Sequence, residues 1–101
     1  MVLKNDVLCA VDKVIFSKVD KQLRKLPVYV VDKLIAWAKS VELKGIREIR
    51  KIPGYHDEPL KGDRKGQRSI RLSKGYRAIY TEDFDGEIHV VIVEEVNKHE
   101  Y

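Results

Sequence analysis

Two arginines, two histidines and a tyrosine in the second half of this 101-residue chain have the types and spacing to act on a phosphate ester. Arg71 and Arg77 lie in "RSIRLSKGYRAIY", His56 precedes them in "GYHDEPLKG", and His99 and Tyr101 follow in "VNKHEY". A guanidinium fork matches two phosphate oxygens and stays charged at any biological pH. An imidazole, with a free pKa of about 6.5, takes or gives a proton near neutrality. A tyrosine ring beside cations suits stacking on an unpaired base. The types present are therefore a phosphate clamp (Arg71, Arg77), proton carriers (His99, His56) and a stacking group (Tyr101, preferred over Tyr76).

The surrounding charge points to a polyanion. Between Lys44 and Arg77 stand eleven Lys or Arg against four Asp or Glu, a net +7 in a chain whose total is +4, which leaves −3 elsewhere. Such a concentrated basic middle is the footprint of a polyanionic partner rather than of general solubility. Lys61, Lys65, Arg68 and Lys74 are the candidates for gripping the backbone of such a polyanion, since contacts of this kind position a nucleic acid without reading it. No zinc-ligand spacing occurs, and a metal-dependent nuclease would want clustered carboxylates, so no metal and no cofactor are assigned.

The elements that must hold these residues follow from periodicity. With 44% hydrophobic residues the chain has material for one modest core, a single domain over residues 1–101. A short strand is expected at Val14 to Phe16, with a helix opening at Ser17 and carrying Val19, Leu23 and Leu26 until Pro27 ends it. A longer second helix shows an apolar stripe of Val31, Leu34, Ile35, Ala38 and Val41, broadened by Val30 and Trp37, and stops at Gly45. A long Pro- and Gly-punctuated connection then leads to strands at Gln67 to Leu72, Tyr76 to Thr81 and Glu87 to Val96, joined by "SKG" and "EDFDG". The order is strand, helix, helix, strand, strand, strand, an α+β arrangement.

Strand alternation sorts the site residues. Ile70 and Leu72 share one face and Ser69 and Arg71 the other, while Tyr76, Ala78 and Tyr80 oppose Arg77 and Ile79. If Ile70 and Leu72 pack under the helices, Arg71 and Arg77 stand on the uncovered face. Arg68 has the parity of Ile70 and is placed at a strand edge. The last strand is apolar at both parities and belongs in the sheet interior; His89 near its start is read as structural.

"GIREIRKIPGYHDEPLKGDRKGQRSIRLSKGYRAIY" followed by "VVIVEEVNKHEY" resembles the RelE/ParE superfamily of toxin–antitoxin toxins, most nearly its HigB-like, RelE/StbE-type branch. The resemblance implies a small antiparallel sheet with two N-terminal helices packed on one face, and a ribosome-dependent mRNA endonuclease neutralised by an antitoxin. It implies that Arg77 meets the scissile phosphate, that Arg71 is the basic residue of the preceding strand, and that His99, Tyr101 and His56 occupy positions where relatives place catalytic groups. The partners implied are mRNA in the 70S ribosome and a helix-turn-helix, HigA-like antitoxin.

The chemistry asks for the same types. RNA is cut without metal when its 2′-hydroxyl loses a proton and attacks the adjacent phosphate, which needs a base, a cation on the developing charge and an acid for the leaving oxygen. His99 serves as base or acid and His56 as the second carrier. The alternative is a non-enzymatic toxin of the ParE type that poisons DNA gyrase by protein contact and needs no proton carriers. A lone cysteine, Cys9, permits no internal disulfide, and no run reaches the roughly 20 apolar residues of a membrane span. The start lacks the uninterrupted apolar core of a secretory signal, so a soluble cytoplasmic protein that engages no membrane is expected.

Overall fold

A computed structural model describes residues 12–98. Five strands, β1 (Asp12–Ile15), β2 (Glu58–Pro59), β3 (Arg68–Ser73), β4 (Tyr76–Asp85) and β5 (Ile88–Lys98), form one sheet in the order β1-β5-β4-β3-β2. β1 runs parallel to β5, and every other neighbour pair is antiparallel. The antiparallel sheet expected from the sequence thus carries one parallel edge, because the first strand returns beside the last. Helices α1 (Asp20–Leu23), α2 (Val28–Lys44) and α3 (Ile46–Ile49) complete the fold.

The core lies between α2 and one sheet face. Val30, Leu34, Trp37, Ala38 and Val41 of α2 meet Ile70 and Leu72 of β3, Ala78 and Tyr80 of β4, and Val91, Val93 and Val96 of β5. The buried stripe is turned slightly from the expected one: it runs through Val30 and Trp37, while Ile35 is exposed. A bulge in the β4–β5 pairing makes the core continuous. Ala78 opposes Val96 and Tyr80 opposes Val93, so one extra β5 residue keeps both valines facing the helices.

The first helix is shorter than its pattern suggests. Ser17–Val19 is a 3-10 turn, and Ser17 makes no side-chain cap bond there. Gly45, at a φ of +88° that favours glycine, ends α2 and starts α3, whose first amide, that of Ile46, donates to Asp12 Oδ2 at 2.8 Å. The free edge of β5 beyond β1 is answered by Gln22, whose amide donates to the Val96 carbonyl and accepts from the Val96 N–H. "EDFDG" is strand up to Asp85, and the reversal is a two-residue turn at Gly86 and Glu87, with Gly86 at φ +65°. No helix among the described residues is long and apolar enough to cross a membrane.

Candidate active site

Strand register assembles the site on the face turned away from α2. One cross-strand row runs Glu58, Ser69, Ile79, Glu95, and the next runs Arg71, Arg77, Asn97. Residues opposite one another share a face, so the two arginines stand side by side on it. Arg77 donates through NH1 to Ser69 Oγ at 3.0 Å. Ser69 is fully buried, and its hydroxyl fixes the direction of the guanidinium.

The pairing of Arg71 with Arg77 is electrostatically unfavourable as it stands, since like charges directly opposite destabilise a sheet. Neither arginine has a carboxylate within ion-pair distance among the described residues. Two partly buried guanidinium groups held together without a counter-ion make a ready anion site, because a phosphate between them removes the repulsion. Lys61 and Lys65, in the connection that leads into β3, are exposed and likewise lack an ion-pair partner among the described residues. Lys74 sits exposed in the β3–β4 turn.

His56 ends the 3-10 turn Pro53–Tyr55 in a left-handed conformation, φ 50° and ψ 47°, unusual for a non-glycine residue though less so for histidine. Its exposed ring lies with Nε2 3.8 Å from Glu58 Oε2. Through Glu58, which shares the row of Ser69, the loop histidine reaches the margin of the arginine face. His99 and Tyr101 lie outside the described residues. The last described residues of β5, Asn97 and Lys98, pair with Arg77 and Tyr76.

Arg68 is not part of this surface. It pairs with Tyr80 across β3 and β4 on the helix side and donates through Nε to Asp57 Oδ1 at 2.6 Å. Its parity decided the matter: two residues before Ile70, it must face the same way. Asp57 turns inward with its side chain wholly enclosed, accepting also from the Tyr80 hydroxyl at 2.6 Å. Burial, then the adjacent carboxylate, raises the Tyr80 phenol well above its ordinary range, so it stays a donor. Arg50 donates to the same hydroxyl at 3.2 and 3.1 Å and to Glu82 Oε2 at 2.6 Å. Glu82 and Asp12 flank His89 at 3.0 and 2.9 Å. This chain of charges ties β1, β3, β4 and β5 to the segments that follow α3 and precede β2, on the side opposite the arginine face, and His89 is part of it.

The groups missed at the sequence level are Ser69, Glu58 and Glu95. Their parity was readable strand by strand, but their meeting depends on register, which a two-residue strand and a bulge conceal. Glu95 accepts from Asn97 Nδ2 at 2.6 Å and from Arg64 NH2 at 3.0 Å, and these donors, Asn97 foremost, hold its carboxyl below the usual range.

No family model and no curated protein sequence matches the chain. Solved structures do. A YoeB/ParE toxin from Agrobacterium tumefaciens aligns at 23% identity over 87% of this chain and 99% of its own, with a TM-score of 0.59. A chain of the toxin–antitoxin complex RelBE2 from Mycobacterium tuberculosis aligns at 22% identity over 88% and 99%, TM-score 0.61. A chain of the YoeB–YefM complex from Staphylococcus aureus aligns at 20% over 90% and 100%, TM-score 0.60. The chain has the fold of the RelE/ParE-type toxins. These similarities span 99–100% of each of those chains, so the likeness is one of whole folds rather than of a fragment.

Proposed function

We propose that this chain is the toxin of a type II toxin–antitoxin pair and that it cuts mRNA in the decoding site of the ribosome. The observation that carries the reading is the Arg71–Arg77 pair, two arginines opposite one another on the sheet face turned away from α2, with Ser69 orienting one and no carboxylate among the described residues neutralising either. A fold shared with RelE/ParE-type toxins supports the same reading.

In this mechanism the scissile phosphate lies between Arg71 and Arg77. The 2′-oxygen forms a bond to phosphorus as its proton passes to a base; the bond to the 5′-oxygen breaks, and that oxygen takes a proton from an acid. The products are a 2′,3′-cyclic phosphate and a 5′-hydroxyl. His99 and His56 are the proton carriers, with Glu58 beside His56 and on the same row as Ser69. Tyr101 stacks on a base next to the cut. Lys61, Lys65 and Lys74 hold the flanking backbone. The partner that restrains the toxin is a small antitoxin of the helix-turn-helix, HigA-like kind. The setting is the cytoplasm.

The direct assay is single-turnover cleavage of a short mRNA on programmed 70S ribosomes, with end-group analysis of the products. Cyclic phosphate ends that vanish with Arg77→Ala support the mechanism. Intact mRNA with wild-type protein contradicts it and leaves the gyrase-type alternative, which inhibition of purified gyrase would then reveal.

A further inference from the structure

The 3-10 turn Gly62–Arg64 brings a third arginine over the same face. Arg64 belongs to the β2–β3 connection, yet its NH2 donates at 3.0 Å to Glu95 on β5, so the bridge spans β4. It crosses the row that holds Ser69 and Ile79, both buried although they face away from the helices. The other oxygen of Glu95 is taken by Asn97, the cross-strand partner of Arg77. Arg64 is thus held by a carboxylate whose second oxygen is fixed by the residue opposite Arg77 in the sheet.

The turn is built to hold Arg64 in place. Arg64 N–H donates to the Lys61 carbonyl at 3.3 Å, its own carbonyl accepts from Gln67 N–H at 3.0 Å, and Leu60 N–H donates to the Gln67 carbonyl at 2.9 Å. Gly62 and Gly66, at φ +65° and +97°, take the two left-handed positions on either side. Stability does not account for the ion pair, because partly exposed bridges contribute at most about 1 kcal/mol. Nor does simple charge, since a carboxylate on a polyanion-binding face opposes binding. An arginine, however, has five N–H donors in a rigid fork, and a carboxylate on one side aims the rest. Fixing the side chain before binding removes its ordering cost from the binding step. Rows of one sheet face lie about 7 Å apart, so a group at the Glu95 row addresses the phosphate next to the one clamped at the Arg77 row.

We propose that Arg64 is a third phosphate ligand of this face, gripping the nucleotide adjacent to the cut, and that Glu95 with Asn97 positions it. The proposal rests on the phosphate-clamp reading of Arg71 and Arg77. It also reverses an elementary expectation: removing the negative charge of Glu95 should weaken RNA binding, not strengthen it.

The test is single-turnover cleavage on ribosomes programmed with a short mRNA, titrated with toxin at two salt concentrations, for wild type, Arg64→Ala, Glu95→Gln and the double variant. Arg64→Ala should raise the half-saturating concentration about tenfold and lower the salt slope by about one, with the rate at saturation within about twofold of wild type. Glu95→Gln should raise that concentration about threefold to fivefold, and should add nothing in the Arg64→Ala background. Glu95→Asp, which keeps the charge, should lose less than Glu95→Gln, and thermal melts should show all variants folded. Tighter binding by Glu95→Gln, or an equal loss with and without Arg64, overturns the positioning role while leaving the clamp intact. Wild-type protein that neither binds nor cleaves removes the clamp reading and this proposal together.

Discussion

At the residue scale the two sheet faces divide the arginines by role. Arg77 is half-buried and among the described residues makes one side-chain hydrogen bond, to a neutral hydroxyl, so as a phosphate ligand its loss in Arg77→Ala should cost about 10² to 10³ in cleavage rate, the scale of one lost oxyanion donor. Arg77→Lys should recover only part, because an ammonium lacks the fork. Rates of single turnover at saturating ribosome check both. His99→Ala and His56→Ala, compared in the same assay, should each flatten one limb of the pH–rate profile if the two carriers act as acid and base. Arg68, grouped by sequence with the RNA-gripping cations, answers instead to Asp57. Asp57 would keep the Tyr80 hydroxyl and Arg50 at 3.9 Å but lose its nearest cation, so Arg68→Ala should lower stability by about 1–3 kcal/mol in urea melts while ribosome affinity of the folded protein stays near wild type. Glu95 gives a pH signature: a carboxyl held below its unfolded value of about 4.3 contributes stability above that pH and loses it as pH falls through the folded value. Glu95→Gln should therefore flatten the acid limb of the urea midpoint below about pH 4.3.

At the element scale, most of the sheet was legible because apolar patterning reports burial. β5 reads apolar at both parities, and it lies between β1 and β4 with Val91 and Val93 under the helices and Val90 buried opposite. Ile70 with Leu72, and Ala78 with Tyr80, fixed the face on which Arg71 and Arg77 emerge. What escaped were features set by pairing rather than by pattern. β2 is two residues long and too short to alternate, the bulge opposite Ile79 and Tyr80 is invisible without its partner strand, and the parallel alignment of β1 is a matter of chain return. Gln22 belongs to this class: a polar residue in a helical pattern reads as a solvent face, yet its amide closes the β5 edge at Val96. Gln22→Ala leaves that N–H and carbonyl unpaired and should cost about 1–3 kcal/mol. Faster hydrogen exchange at the Val96 amide, with β3 amides unchanged, would localise the loss.

At the scale of the whole molecule the charge is polar. The segment from Lys44 to Arg77 carries +7 and the remainder −3, with Glu82, Asp83, Asp85 and Glu87 gathered at the β4–β5 hairpin end. A ribosomal RNA surface attracts one part of such a molecule and repels the other, which orients the arginine face toward the nucleic acid before contact. An antitoxin that covers this face by charge should release it as salt rises; an affinity that ignores salt would show apolar burial holding the complex instead. The central claim, that the Arg71–Arg77 face cuts translated mRNA, is tested most directly in cells by mapping mRNA 5′ ends after brief induction of wild type and of Arg77→Ala. The account predicts new 5′-hydroxyl ends inside translated reading frames, in register with codons, for wild type and their near-absence for Arg77→Ala at equal protein level. Growth arrest with intact transcripts, or the same cuts from both proteins, would contradict it.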